Sequence, residues 1–121
     1  MTDGGGELTG YFKNGIIQKM TREIGLSYGI ETHNYYFSNG KVVFIYETLM
    51  GFIYKGDSVD HSKTELNFIG RYYFQNNKLI DSETTGHNRF EADDIDMEKV
   101  LLDETKQNLA TLTKAKKSNA R

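Results

Sequence analysis

The part of the sequence that most constrains the fold is residues 31–49, ETHNYYFSNGKVVFIYETL, where two aromatic and β-branched runs meet at Asn39-Gly40. A two-residue loop that matches the twist of its strands needs a positive φ at both central positions, and Asn and Gly adopt that conformation most readily. Alternate residues of a strand point to opposite faces, and both faces of these runs carry apolar side chains. The pattern therefore predicts a β-hairpin at the centre of a sheet, covered at least partly on both faces.

Two further hairpins are predicted from turns of the same kind, at Asn14-Gly15 and Asn76-Asn77. In each, an aromatic pair and one polar residue precede the turn, and apolar residues follow it. The three hairpins are unevenly spaced along the chain, so they do not have the strict period of a solenoid. Together they predict a strongly twisted antiparallel meander of about six or seven strands.

At two places the sequence allows more than one interpretation of the strand pattern. Residues 51–54 fit a short strand or an extension of the strand before them, whereas residues 55–62 have the composition of a loop. A loop as long as residues 50–64 in a small domain is usually functional or mobile. Gly70 interrupts a later strand, and a glycine there indicates a bulge or the close approach of another element.

Beyond residue 85 the pattern changes to that of a helix. Asp93 and Asp94 are candidate N-caps, and the lysines from residue 114 onward favour the other end. Apolar residues recur at helical spacing: Ile95, Leu101, Leu102, Leu109 and Leu112. The sequence therefore predicts an α+β fold, in which one C-terminal helix packs on one face of the antiparallel sheet.

The chain divides into three segments. Residues 1–6 are glycine-rich and are predicted to be a flexible tether, or a start placed where a leader was removed. Residues 7–113 are predicted to form a single α+β domain, because a chain of 121 residues supports one modest core. Residues 114–121 form a basic tail that we expect to fray.

Composition excludes several kinds of function. The chain has no cysteine, which excludes disulfides, thiolate catalysis and cysteine-ligated zinc. The formal net charge of -2 gives no electrostatic argument for binding nucleic acid. No apolar run approaches the roughly 20 residues that a helix needs to span a bilayer.

Three stretches have a similar sequence pattern: YYFSNGKVVFIYET, GRYYFQNNKLIDSET and GGELTGYFKNG. They resemble small exported proteins of the Bacteroidetes, which are often lipoproteins and are of unknown function. The resemblance covers residues 5–85 and implies export, with the N-terminus as a tether. The single hairpins are also similar to variant MORN repeats, from which this chain departs by its irregular spacing and by a missing second glycine per unit. Neither resemblance implies catalytic residues.

One acidic segment offers possible metal ligands. Asp57, Asp60 and His61 carry carboxylate oxygens and an imidazole, which suit calcium, manganese or zinc. Their spacing matches no calcium-loop pattern and a lone His is a weak signal, so a solvated loop explains them better than a metal site does. The expectation is therefore that no metal and no other cofactor is bound, with these three residues as the candidates if one is.

A second group of residues raises the question of acid–base catalysis. Glu31 and His33 share a strand face, and Glu47 shares one with Lys41 on the next strand. Cross-strand pairs on the surface explain such residues without chemistry. Catalysis would need a pocket that excludes water, lined by His33 and Glu31. Motifs for nucleophiles, phosphate loops and zinc helices are absent from the sequence.

Aromatic residues are the remaining candidates for a binding surface. The rings predicted to form a ladder, mostly in the core beneath the helix, are Tyr35, Phe37, Phe44, Tyr46, Phe68, Tyr72 and Phe74. The tyrosines predicted to stay exposed and bind a ligand are Tyr11, Tyr36, Tyr54 and Tyr73. Nucleic acid would also require interleaved Arg and Lys, which are few here.

The function that these observations favour is a non-enzymatic exported binding or structural module, with its N-terminus as a surface tether. Its partner would be a protein, a peptide or a glycan rather than nucleic acid, and the chain would be a monomer or a weak homodimer. If a leader was removed, the location is the periplasm or the cell surface. The alternatives are a cytoplasmic protein-interaction module of the immunity or antitoxin kind and, third, a small hydrolase-type enzyme.

Overall fold

The computed structural model describes residues 6–55, 58–86 and 95–119, and their side chains except those of residues 54, 55, 59–62 and 115–119. Within these residues the strands are β1 (Gly6–Lys13), β2 (Ile16–Leu26), β3 (Gly29–Ser38), β4 (Lys41–Lys55), β5 (Ser58–Gln75) and β6 (Lys78–Thr85). They form one antiparallel sheet in the order β1-β2-β3-β4-β5-β6. The predicted α+β meander is confirmed, and β3 and β4 are its central pair.

One helix, α1 (Met97–Asn119), follows the sheet. Asp96 caps it, because its Oδ1 accepts a hydrogen bond of 3.1 Å from the backbone N–H of Lys99. Glu98 adds negative charge to the first turn. The predicted caps Asp93 and Asp94 lie outside the described residues, as do residues 1–5 of the predicted tether. The helix continues to Asn119, through most of the segment predicted as a basic tail.

The three predicted turns have the backbone that their sequences require. The φ angles are 52° at Asn39 and 79° at Gly40, and the turn at Asn14-Gly15 has almost the same values. In the third turn Asn76 and Asn77 both have positive φ, at 52° and 63°. All three hairpins are therefore closed by two residues in the left-handed region, as predicted.

Each hairpin also contains one extra residue on its return strand, which the sequence did not predict. Phe37 pairs with Val42 and Tyr36 pairs with Phe44, so that Val43 has no opposite residue. Gln18 and Ile80 are the extra residues of the other two hairpins. Such a bulge adds twist and changes which residues share a face.

The bulges change two face assignments that strict alternation predicts. Alternation places Val42 on the same face as Phe44, but Val42 is buried together with Ile45 because Val43 shifts the alternation. In β2 alternation places Ile16 on the face of the buried Met20, but Gln18 shifts it, so that Ile17 is buried and Ile16 is exposed.

Residues 51–54 extend the strand before them, which is one of the two predicted alternatives, whereas the described residues of the loop-like stretch 55–62 are strand rather than loop. β4 continues to Lys55 and β5 begins at Ser58, and these two residues pair directly. The register of this pairing shifts between Phe52 and Ile53, within the stretch whose sequence is less regular. Strand pairing with a neighbour outweighs loop-like composition here, because strand propensity depends strongly on context.

The helix crosses the sheet from β6 to β1. At β6, Glu98 Oε1 accepts a hydrogen bond of 2.9 Å from the backbone N–H of Leu79, and at β1 Leu112 lies beside Gly10. Leu101 is 1% exposed and belongs to the core. The other buried residues of this core come from the sheet: Ile17, Met20, Tyr35, Phe37, Val42, Ile45, Tyr72 and Phe74. The predicted stripe of helix leucines therefore does face the sheet, while Ile95 precedes the helix and is exposed.

Candidate functional site

Three of the four tyrosines predicted to bind a ligand lie in one row on the outer face of the sheet, opposite α1. Tyr11 is opposite Lys19, and Lys19 is opposite Tyr36. The row continues through Phe44 to Tyr73. The side chain of the fourth predicted tyrosine, Tyr54, lies outside the described part of the chain. Phe44 and Tyr46, predicted as core rings, are half-buried on this outer face instead.

The rings of this outer row pack against one another. The ring centroids of Tyr36 and Phe44 are 5.7 Å apart with 29° between the planes, and those of Phe44 and Tyr73 are 5.0 Å apart with 34°. Lys19 Nζ lies 5.7 Å from the ring of Tyr11 and 5.4 Å from that of Tyr36. Ring contacts therefore join Tyr36, Phe44 and Tyr73, and Lys19 lies near the rings of both Tyr11 and Tyr36.

A different group of residues forms a polar cluster on the helix side of the sheet. His33 and Glu47 are each 3% exposed, and Glu31 is half-buried. His33 Nε2 lies 2.6 Å from Glu31 Oε1 and 3.5 Å from Glu47 Oε2. We call Glu31, His33 and Glu47 the His33 cluster. Its burial contradicts the prediction that Glu31 and His33 belong to ordinary surface pairs.

The bulge at Val43 brings Glu47 into the cluster. A regular two-residue hairpin at Asn39-Gly40 would place Tyr46 opposite His33, but the extra residue moves Glu47 to that position. The sequence prediction grouped Glu47 with Lys41 and so missed this contact. Nothing in the local pattern marks Val43 as an extra residue, since it continues an apolar run.

Gly70 makes room for a further contact of the cluster. Gly70 is opposite Glu47 in the sheet, and a Cβ at Gly70 would overlap the ring of Tyr72. The ring can therefore lie over Gly70, and the Tyr72 hydroxyl donates to Glu47 Oε1 at 3.4 Å. The sequence predicted a bulge or the close approach of another element at this mid-strand glycine, whereas the ring that lies over it comes from the same strand, two residues later.

A chain of hydrogen bonds joins the cluster to α1. His33 Nδ1 lies 3.3 Å from the Tyr35 hydroxyl, which accepts a hydrogen bond of 3.2 Å from Asn108 Nδ2. Asn108 Oδ1 in turn accepts a hydrogen bond of 3.0 Å from Arg22 Nη1. The helix thus fixes Tyr35, and Tyr35 fixes the orientation of the imidazole.

The cluster opens into a pocket between the sheet and α1, which we call the helix-side pocket. Its volume is about 180 Å³, and Glu31 and His33 form one wall. The remaining lining residues are Arg22, Ile24, Tyr35, Glu104, Gln107 and Asn108. Seven of the eight lining side chains carry polar groups, which distinguishes this pocket from an ordinary apolar gap beneath a helix.

Both ring nitrogens of His33 have protein partners. A contact as short as that between Nε2 and Glu31 Oε1 requires a proton between the two atoms. The other nitrogen, Nδ1, is held by Tyr35. A substrate proton could reach the imidazole only by displacing one of these partners.

A second, larger pocket lies on the other side of α1. It measures about 340 Å³, and its lining includes Phe37, Val42, Leu102 and Leu109. Its charged residues Lys41, Asp103 and Lys106 are exposed, so water competes with any ligand that they could bind. The helix-side pocket therefore has the better arrangement of buried polar groups.

The predicted metal ligands cannot be compared with this site. Asp57 and the side chains of Asp60 and His61 lie outside the described residues. The backbone of residues 60 and 61 belongs to β5 rather than to a loop.

The fold and the cluster together define a class: an α+β protein in which, among the described residues, one helix closes a polar pocket over an antiparallel meander. Comparison with family models, with curated proteins and with solved structures gave no match for this chain. In the described residues, no helix is long and apolar enough to cross a membrane.

Proposed function

We propose that this protein is a non-enzymatic binding module that holds a small positively charged ligand in the helix-side pocket. The observation that carries the proposal is a convergence of carboxylates. Glu31 and Glu104 line the pocket, and Glu47 contacts His33 of the pocket wall from the neighbouring strand. A cation in the pocket would add positive charge where these groups meet, in a setting less screened than the open surface.

The dimensions of the pocket support a small ligand. Its volume is about 180 Å³. Pockets for drug-sized molecules are larger, about 300–1,000 Å³. The lining also holds its own cation, Arg22, but that guanidinium donates to Asn108 and helps to fix the pocket wall.

A thermal-shift panel tests the proposal. The full chain is melted with ethylenediamine, agmatine, Mg²⁺, Ca²⁺, Mn²⁺ and Zn²⁺ added separately. A ligand at 100 times its Kd stabilises a protein by about 2.7 kcal/mol, which corresponds to a rise in Tm of several degrees for a domain of this size. We expect at least one of these cations to give such a rise.

Two glutamate variants show whether the rise in Tm depends on the pocket: one removes a pocket carboxylate, and the other is the control. Glu31→Gln keeps the shape of the pocket wall but removes its charge, and should abolish the rise in Tm. Glu23→Gln, at an exposed position on the outer face, should leave it unchanged. The proposal fails if none of the cations stabilises the protein, or if Glu31→Gln is stabilised as much as the wild type.

We also propose that the module acts outside the cytoplasm. The support is the resemblance of its hairpins to those of small exported proteins, together with the glycine-rich residues 1–6. The coding sequence upstream of Met1 should then encode a leader that ends at a small-residue or lipid-acceptor site. An in-frame stop codon directly upstream would favour the cytoplasmic alternative.

A further inference from the structure

We propose that the cation of the helix-side pocket is a divalent first-row transition metal ion, bound by His33 Nε2 and by one carboxylate oxygen each from Glu31 and Glu47. This inference rests on the proposed function, because it names the ligand of the same pocket. The three ligand atoms lie within 4.8 Å of one another. They come from β3 and β4, so the most central strands of the sheet hold them.

The distances leave room for an ion after small movements. Metal–nitrogen and metal–oxygen bonds of 2.0–2.2 Å at tetrahedral angles place the ligand atoms about 3.4 Å apart. His33 Nε2 and Glu47 Oε2 are 3.5 Å apart, which fits. His33 Nε2 and Glu31 Oε1 are 2.6 Å apart and share a proton, which the metal would replace. Glu31 would move to make this change, and it is the most exposed of the three residues.

The donor set selects the kind of metal. The two carboxylates can neutralise both positive charges of a divalent ion. A protonated imidazole carries one positive charge and can balance only one of the two carboxylates. An imidazole donor suits zinc, copper, iron and nickel, and carboxylates also suit manganese. Magnesium and calcium prefer sites made of oxygen alone, so we expect them to bind more weakly.

Both kinds of ligand have the supporting contacts that metal sites require. The Tyr72 hydroxyl contacts Glu47 Oε1, which leaves Oε2 directed toward His33. Tyr35 holds His33 Nδ1, so that Nε2 is the nitrogen left to bind the metal. Such partners orient metal ligands and are typically worth 10–100-fold in metal affinity.

The pocket supplies the remaining coordination position. Glu31 and His33 line it, while Glu47 closes the site from behind. Three protein ligands with one side open to a cavity leave a place for water or for a small exogenous ligand. The arrangement therefore explains why a buried cluster should open into a polar pocket.

The test is a calorimetric titration of the full chain, stripped with EDTA, using ZnCl₂ and MnCl₂ separately. We expect one metal ion per chain. Glu47→Gln should weaken binding by at least about 100-fold, more than the loss of a residue that only orients a metal ligand. Glu83→Gln is the matched control, because this carboxylate is exposed on β6, and it should bind as the wild type does.

Two further variants keep the test decisive. If Glu47→Gln fails to fold, Glu31→Gln serves instead, and Tyr72→Phe should weaken binding by about tenfold while keeping the ring. A double variant, Asp57→Asn with His61→Ala, removes the ligands predicted from sequence and should leave binding intact. Unchanged affinity in the cluster variants, or loss of binding only in the double variant, would overturn the proposal.

Failure of the metal proposal can be separated from failure of the proposed function. If ethylenediamine or agmatine stabilises the wild type but not Glu31→Gln, while zinc and manganese do not bind, the pocket takes an organic cation and the metal proposal is wrong. If no cation of either kind has an effect, both proposals are wrong.

Discussion

At the scale of single residues, Tyr35 and Tyr36 show how far alternation predicts a site. They are adjacent in sequence and point to opposite faces, as a strand requires. Tyr35 is 1% exposed and joins His33 to Asn108, whereas Tyr36 stacks on Phe44 at the outer face. Alternation placed them on different faces, but it could not show which face the helix covers.

Separate substitutions of these two adjacent tyrosines test the series of hydrogen bonds that joins His33 to Asn108. Tyr35→Phe removes the acceptor of Asn108 Nδ2 and should lower the free energy of unfolding by about 1–3 kcal/mol, because a buried donor loses its partner. Tyr36→Phe should change it by less than about 0.5 kcal/mol. Urea unfolding measures both, and equal effects would mean that the buried network does not stabilise the fold.

The His33 cluster was only partly predictable for a related reason. Glu31 and His33 lie two residues apart on one strand, so any register places them on the same face. Glu47 comes from the neighbouring strand, and its position depends on whether Val43 is counted in the ladder. A single unpaired residue changes every later pairing, and the sequence carries no local signal for it.

At the scale of elements, the turns were predictable because their chemistry is local. Asn-Gly and Asn-Asn adopt positive φ for steric reasons that do not depend on the rest of the chain. Residues 55 and 58–62 were not predictable in this way. Their composition is that of a loop, but they are strand because β4 and β5 pair with each other, which is a tertiary effect.

Gly40 tests the central hairpin. Its φ of 79° is one that a β-branched residue adopts only with strain, although a Cβ there would meet no other atom. Gly40→Val should therefore lower the free energy of unfolding by about 1–3 kcal/mol through the backbone alone. Val43→Thr, near the same turn, is the control and should have a smaller effect. An unchanged urea midpoint in Gly40→Val would contradict the account of the hairpin.

At the scale of the whole molecule, one helix covers the inner face of a six-stranded sheet. The apolar stripe of the helix and the charge at its ends predicted this arrangement. They did not predict the direction in which α1 crosses, which decides where the helix-side pocket lies. That direction depends on side-chain contacts such as those of Glu98 with β6 and Asn108 with β3.

Removal of the helix tests this packing. A chain that ends at residue 92 should lose cooperative unfolding and aggregate, because Leu101 and the leucines that follow it no longer cover the sheet. Loss of one buried leucine alone typically costs about 2–5 kcal/mol. A chain that ends at residue 113 keeps Leu112 and is the control. Size-exclusion chromatography and urea unfolding follow both, and a soluble short chain of full stability would contradict the packing.

The central claim is that the protein binds its ligand on the helix side of the sheet rather than on the outer row of tyrosines. The most direct measurement is a ¹H–¹⁵N correlation spectrum of the full chain, titrated with ZnCl₂ and separately with ethylenediamine. We expect the largest amide shifts at Glu31, His33 and Glu47, and at Glu104 across the pocket. Largest shifts at Tyr11, Lys19, Tyr36 and Tyr73, or no shifts with either cation, would contradict the claim.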